Sequence, residues 1–448
     1  MRSYFETGAT LSYDFRKQKL KQLEQALLLH EEEIYQALYA DLKKSKEEAY
    51  ATELGLLLGE VRLALRNLKK WMRPQSSRTD LVNFPSSTKI YKDPLGIVLI
   101  IAPWNYPLQL QLIPLVGAIA AGNCVVLKPS ELAPATAAII EKIISPLFPP
   151  EYVQVVQGDG ASVIPSMMGS FRFDHVFYTG SIPVGKIIYQ LAAKDLVPVT
   201  LELGGKSPAI VEAGADLNVA ARRIVLGKFL NAGQTCIAPD YLLVDRTVKS
   251  ELIEKIKTSI DSFYGENKMQ SGDYGKIINE KRFDKLLSYF QDGKLVYGGE
   301  HERSKLFIEP TIMENVPLDS ALMKEEIFGP LLPILEFNSF EEALSIVKQN
   351  PNPLAFYLFS ANQEQEQAWV KAVHFGGGCI NNTAWHFANY HIGFGGIGNS
   401  GIGAYHGKFS FNTFTHAKPI LKSPTWFDPS IKYPPFKGKL KILKWFIK

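Results

Sequence analysis

The stretch Gly96-Ile-Val-Leu-Ile-Ile-Ala102 decides the fold. No polar side chain interrupts it. A strand with one wet face alternates apolar and polar residues, so a strand apolar at every position reads as buried on both faces, in a parallel sheet with helices on each side. Outward from it the type recurs. Asn-Cys-Val-Val-Leu-Lys-Pro (123–129), Val-Gln-Val-Val (153–156) and His-Val-Phe-Tyr-Thr-Gly (175–180) read as further strands, with helical stretches at 107–121 and 133–147 between them. Strand–helix alternation predicts a doubly wound α/β domain. Residues 206–378 begin a second alternating series, with strands near 207–211, 241–245 and 331–337 and helices near 216–230 and 247–263.

The flanks read differently. Leu20, Leu23, Leu27 and Ile34, then Leu54, Leu57, Leu58, Val61 and Leu65, recur at helical spacing within 11–72. Pro74 ends that region, because proline cannot continue a helix. Residues 75–93 are rich in Ser, Thr and Asn and hold one alternating run, Thr88-Lys-Ile-Tyr-Lys, which suggests an extended hairpin leaving the main body. Residues 379–420 are rich in Gly, Asn and His.

Composition narrows the function. A chain of 448 residues calls for two or three domains. A net charge of +4 is small for that length and gives no reason to expect nucleic acid, and neither an RNA-binding motif nor zinc-finger spacing occurs. Cys124, Cys236 and Cys379 lie far apart with no CxxC pair, which argues against a disulfide framework or a zinc site and fits a reducing, cytoplasmic compartment. The eight histidines show no metal-ligand spacing. The N-terminus shows no signal-like apolar run, and no run of about 18 apolar residues is long enough to span a bilayer.

Chemistry concentrates at residues 229–238, Phe-Leu-Asn-Ala-Gly-Gln-Thr-Cys-Ile-Ala. Cys236 stands in a short polar turn between two apolar runs, where a nucleophile would sit. Upstream, Leu-Glu-Leu-Gly-Gly-Lys-Ser-Pro (201–208) sets Glu202 in an apolar segment, where burial would raise its pKa toward that of a useful base. A thiol and a base suggest covalent acyl chemistry. Cys124 and Cys379 read as core residues.

Other motifs carry two readings each. The run from His175 through Tyr178-Thr-Gly-Ser181 and Pro183 goes from a strand through a turn into a helix: either an anion site at a helix N-terminus or an ordinary loop. Lys128-Pro-Ser-Glu131 is placed at a strand's carboxyl end for ribose hydroxyls or phosphate; the alternative is a solvated charge pair. Asn105, in Pro103-Trp-Asn-Tyr-Pro107, can donate an amide into a site or cap the next helix. A literal G-x-G-x-x-G, Gly393-Phe-Gly-Gly-Ile-Gly398, lacks a preceding strand and a following helix, so it reads as a wall of the site rather than a phosphate cradle.

Together these segments resemble the aldehyde dehydrogenase superfamily. Pro-Trp-Asn-Tyr-Pro (103–107), Lys-Pro-Ser-Glu (128–131), Tyr-Thr-Gly-Ser (178–181), Glu-Leu-Gly-Gly-Lys-Ser-Pro (202–208), Gly-Gln-Thr-Cys (233–236), Glu-Glu-Ile-Phe-Gly-Pro (325–330) and the glycine-rich 393–401 stand in family order across nearly the whole chain. The short N-terminus, residues 400–411 and Lys-Tyr-Pro-Pro (432–435) look like the class 3 branch, which includes fatty and aromatic aldehyde dehydrogenases and is typically dimeric. Gly393 departs from that pattern, which often has Pro there, and the aromatic, His-rich run from Trp385 to Tyr390 also departs from it.

The resemblance implies a Rossmann-like NAD-binding domain (1–74 and 94–205), a second α/β catalytic domain (206–378), a β oligomerisation hairpin or arm with a bridging region (75–93 and 379–420), and a basic tail (421–448). It implies Cys236 as nucleophile, Glu202 as base for the hydrolytic water, and Asn105 with the Cys236 N–H as oxyanion hole. It places Lys128 and Glu131 on the adenosine ribose, Gly180 and Ser181 on the pyrophosphate, and Glu326 on the nicotinamide ribose with Phe328 packed nearby. Glu131 suits the free 2′-hydroxyl of NAD, while class 3 relatives often accept NADP too. Trp104, Tyr106, Trp385 and Phe387 are expected to line an apolar substrate pocket. A CoA-acylating dehydrogenase and a non-catalytic relative are the alternatives; Glu202 argues against the first, and the combination of Cys236, Glu202 and Asn105 against the second.

Residues 436–448 carry five lysines and no acid. As a helix they would set Phe436, Leu440, Leu443 and Ile447 on one face, a stripe of Lys437, Lys441, Lys444 and Lys448 beside it, and Ile442, Trp445 and Phe446 over much of the remainder. Two readings stay open: peripheral contact with an anionic membrane, or a helix capping the partner subunit of a homodimer or the substrate entrance.

Overall fold

The computed structural model describes residues 1–447, apart from the side chain of Phe446. The all-apolar stretch forms the strand Ile97–Ile101, buried at all five positions. It lies inside a six-stranded sheet between Cys124–Lys128 and His175–Thr179, in parallel register. Val153–Val155 and Val199–Glu202 extend this sheet in parallel on either side, and Gly401–Ile402 closes one edge antiparallel. Helices such as Gln109–Ala121 and Pro134–Leu147 supply the crossovers. Burying an aliphatic side chain fully is worth about 1.5–3 kcal/mol, so a strand with no wet position commits the chain to this layered arrangement.

A second sheet of seven strands follows. Pro208–Val211, Tyr241–Asp245 and Leu331–Phe337 occupy its centre, matching the sequence reading. Thr311–Glu314, Ala355–Phe359 and Gly377–Ile380 add parallel strands, and Lys294–Tyr297 adds an antiparallel edge. Those four have no counterpart in the sequence reading. Each of the two sheets anchors its own apolar core. The fold is thus α/β, with a Rossmann-like doubly wound unit and a second parallel α/β unit.

The expected hairpin is present as Gln75–Ser77 paired with Ser87–Pro94. Its third strand comes from the far end of the chain: Thr415–Lys422 runs antiparallel to Ser87–Pro94 over eight residue pairs. One strand of this arm leads into Ile97–Ile101, and the other follows the segment that carries Tyr405.

The tail departs from the sequence reading. Its helix begins at Leu440, because Gly438 at φ +83° breaks the chain before it, so Phe436 is not on the helical face. Phe436, Leu440, Ile442, Trp445 and Ile447 are all exposed. Lys448 of the lysine stripe and the Phe446 side chain lie outside the described residues. Among the described residues no helix is long and apolar enough to cross a membrane.

Candidate active site

Cys236 follows a backbone that turns left-handed three times in succession, at Asn231 (φ 52°), Ala232 (φ 51°) and Gly233 (φ 75°). Gly233 is required twice over, since a Cβ there would also run into the main chain of Gly329. Non-glycine residues in this region store strain, which persists only where the surroundings over-determine it. Here Asn231 donates its main-chain N–H to Glu48 Oε1 at 3.0 Å and its amide to the Asn105 carbonyl at 2.7 Å. Gln234 ties the turn to Lys276 O and Ile278 N, at 3.0 Å each.

Two cavities meet at the thiol. The first is walled by Tyr106, Leu110, Ile237, Phe387, Phe394 and Tyr405. The second, the roomier, is lined by Trp104, Asn105, Gly180, Ser181, Arg282, Glu326 and Phe328. Cys236, Glu202, Leu110, Leu203 and Thr179 belong to both. A third cavity, lined by Lys128, Ser130, Glu131, Asp159 and Ile187, shares Pro103, Trp104, Gly180 and Ser181 with the second. One groove, bearing the charged and polar groups, therefore runs from Lys128 and Glu131 to Cys236, and meets at the thiol a chamber with almost no polar surface.

Glu202 ends the strand Val199–Glu202 and is 2% exposed. Neither carboxylate oxygen has a protein partner, and burial pushes its pKa well above the usual carboxylate range. Burial, then the Glu326 and Glu202 carboxylates, push the Cys236 thiol up to about 12. Asn105 is buried; its amide nitrogen donates to the Gln234 carbonyl at 3.0 Å and keeps a second N–H.

In the groove, Lys128 donates to the Pro129 carbonyl at 2.7 Å and to Glu131 at 2.9 Å. Glu131 also accepts the Gly160 N–H at 3.1 Å. Burial pushes Glu131 up, but the Lys128 and backbone hydrogen bonds outweigh it and hold its pKa below the usual value. Ser181 is the N-cap of the helix Ile182–Ala193, with no side-chain cap bond and Pro183 in the first turn. Gly180, Ser181 and Pro183, at this helix N-terminus, line the groove. Glu326 lies against Gly204, where any Cβ would meet its carboxylate. Its Oε1 has no partner, and burial, then the Asp240 carboxylate, push it up to about 8. Phe328, at φ 48°, stands edge-on to Trp104 with ring centroids 5.3 Å apart.

The expected pocket residues divide. Tyr106 and Phe387 line the apolar chamber. Trp104 does not; it lines the groove, turned there by its packing on Phe328. Trp385 lines neither cavity and is 53% exposed, in a turn that follows Ala384 at φ 61°. Phe394 lies in the literal G-x-G-x-x-G, which the sequence reads as a wall of the site, and it lines the chamber. Tyr405, which pairs with it across an isolated bridge, supplies a wall that the sequence reading did not single out. The glycine run therefore serves the chamber rather than a phosphate. Arg282, in the groove, was also missed; it stands on an ordinary amphipathic helix, with no local signal.

The sequence model for the aldehyde dehydrogenase family matches residues 1–420. The chain is 47% identical to the 4,4'-diaponeurosporen-aldehyde dehydrogenase of Staphylococcus aureus, over 100% of this chain and 97% of that protein. It is 41% identical to a dimeric, NADP-preferring aldehyde dehydrogenase of Canis lupus familiaris, over 98% of this chain and 97% of that one. A solved substrate-bound structure of Staphylococcus aureus AldH superimposes with a TM-score of 0.98 at 47% identity, covering 100% of this chain and 98% of the other.

Proposed function

The chain belongs to the aldehyde dehydrogenase family, and from that premise we propose that it oxidises apolar aldehydes, medium- or long-chain aliphatic or aromatic, to carboxylic acids through an acyl-enzyme on Cys236. As a member it is an oxidoreductase that oxidises aldehydes with a nicotinamide dinucleotide. The observation that carries the finer reading is the junction: the thiol lies where a groove bearing charged and polar groups meets an apolar chamber.

The groove suits a dinucleotide. Glu326 has an unpartnered oxygen for a ribose hydroxyl, the open N-terminus at Ser181 suits a pyrophosphate, and Lys128 with Glu131 suits the adenosine ribose. An ionised Glu131 favours the 2′-hydroxyl of NAD and leaves NADP the poorer cofactor. When bound, the nicotinamide supplies the hydride acceptor.

The protein's own groups do the rest. Cys236 releases its thiol proton to solvent and adds as the thiolate to the aldehyde carbon, whose C=O π pair moves onto oxygen. Asn105, through its second N–H, and the Cys236 main-chain N–H receive the developing oxyanion, a contribution of about 3–4 kcal/mol per donor. Oxidation of the thiohemiacetal leaves a thioester. Glu202 then takes a proton from the hydrolytic water; its raised pKa makes it a stronger base once ionised. The walls formed by Tyr106, Leu110, Phe387 and Phe394 hold the aldehyde's hydrocarbon part and exclude water.

We assign residues 1–74 and 94–205 to cofactor binding and 206–378 to the domain carrying the nucleophile. The arm of 75–93 with the 379–420 region is assigned to assembly of a cytoplasmic homodimer, and the tail 436–448 to peripheral contact with anionic membrane. The test is cofactor reduction by purified protein across aldehydes from acetaldehyde to hexadecanal, plus benzaldehyde, with NAD and NADP in parallel. A kcat/KM that rises with chain length supports the reading. No reduction with any aldehyde, while cofactor binds, overturns it.

A further inference from the structure

Behind Asn105 lies a buried ion pair that the chemistry above does not use. Lys44 and Glu53 have fully buried side chains, with Lys44 Nζ 2.6 Å from Glu53 Oε1. The same ammonium donates to the main-chain carbonyl of Asn105 at 3.1 Å and stands 3.9 Å from the centroid of the Tyr106 ring. Glu53 Oε2 accepts the N–H of Leu108 at 2.9 Å and of Gln109 at 3.3 Å, at the start of the helix that follows Asn105. Glu53 sits on a π-helical turn, Tyr50–Leu54, a local widening that recurs at functional sites.

A buried ion pair is a poor source of stability, because desolvating two charges offsets their attraction. What this pair does provide is direction. Between them the two side chains hold residue 105 by its carbonyl and residues 108 and 109 by their N–H groups, so the peptide that aims the Asn105 amide is gripped on both sides. Asn231, from the thiol loop, donates to the same carbonyl. The main chain of Asn105 is thereby referenced both to the N-terminal helices and to the turn that carries Cys236.

We infer that Lys44 and Glu53 are a positioning pair for this reaction, holding the Asn105 amide where the oxyanion forms. The inference rests on Asn105 serving as the oxyanion donor. Neither residue lines either cavity at the thiol, and both act through Asn105.

The test is a double-mutant cycle on the full-length enzyme. Lys44→Met with Glu53→Gln removes both charges of the pair, and the amide oxygen introduced by Glu53→Gln remains an acceptor for the helix N–H groups. The buried Glu48, which loses Lys44 as its cationic neighbour, keeps the Asn231 N–H. The expected result is a folded protein whose kcat for aldehyde oxidation falls by about tenfold to a hundredfold. Aldehyde KM and cofactor Kd should stay within about twofold. In an Asn105→Ala background the same two changes should cost less than about twofold, since no amide remains to misplace. An equal loss in both backgrounds, or no loss in the wild-type background, overturns the inference. Should the double variant not fold, Glu53→Asp, which keeps the charge but shortens its reach, is put through the same comparison and read the same way. If Asn105→Ala alone turns over at the wild-type rate, it is the oxyanion assignment that fails.

Discussion

The amide of Asn105 donates to the carbonyl of Gln234 at 3.0 Å, two residues before the Cys236 thiol. The proposed oxyanion donor is thus set against the chain that bears the nucleophile, although the two come from different sheets. Asn105→Ala should lower kcat by about a hundredfold to a thousandfold, about 2.7–4 kcal/mol, with cofactor affinity intact. Steady-state rates with cofactor titration check it, and an unchanged kcat would remove Asn105 from the mechanism.

Cys236→Ala should abolish aldehyde oxidation while the dinucleotide still binds. The wild-type thiol, pushed up to about 12 in the cofactor-free protein, should alkylate slowly at neutral pH. Its rate with iodoacetamide should climb about tenfold per pH unit between pH 7 and 10, with no plateau. A plateau near pH 8 would show that the charges around Cys236 are misread.

Glu202→Gln should let the acyl-enzyme accumulate, seen as a burst of reduced cofactor followed by a slow phase. In the wild type, burial raises Glu202 well above the usual carboxylate range, so thioester hydrolysis should keep rising with pH above that range. Hydrolysis that levels off within the ordinary carboxylate range, about pH 4 to 5, would point to a different base.

Glu326 bears on stability as well. Its folded pKa is raised to about 8, so between the ordinary carboxylate value and pH 8 the unfolded chain is ionised while the folded one holds the proton. Stability from this group is present at low pH and lost as pH rises through that window. Glu326→Gln should therefore flatten the fall in melting temperature from pH 5 to 8, and weaken cofactor binding. Parallel pH–melting curves for the two proteins would contradict this.

Deleting residues 436–448 should reduce co-sedimentation with anionic liposomes and leave turnover of short aldehydes unchanged. Undiminished binding would count against the membrane assignment and leave the tail as a cap on the partner subunit or the substrate entrance.

Much of this was legible in the residues. The strands at 96–102 and 241–245 announce themselves because a doubly buried strand is written in apolar letters alone. The motif around Lys128 could be placed because it sits at the end of such a strand, and Cys236 because it stands just before one. Glu202 reads only as a carboxylate in an apolar segment, and the strand Val199–Glu202 that carries it, with Thr200 in its middle, was not legible. Lys44, Glu48 and Glu53 were not legible. Their neighbours, Lys43, Lys46 and Glu47, make the segment look like a solvated face, and only tertiary contact with residues 105–109 and 231 reveals that three of these charges are buried. Strand Ala355–Phe359 escaped because its pattern does not separate a buried strand from a buried helix turn. Trp385 misled in the opposite sense, since aromatic character says nothing of which way a turn points a ring.

The arm joins Ser87–Pro94 to Thr415–Lys422 along eight residue pairs. Followed inward, the first strand reaches Asn105 and the second Tyr405, each within about a dozen residues. The arm is therefore a handle with two legs, one leading to the proposed oxyanion donor and the other to the chamber wall. On the proposed roles, a second copy docking at its far end would bear on oxyanion geometry and hydrocarbon fit together.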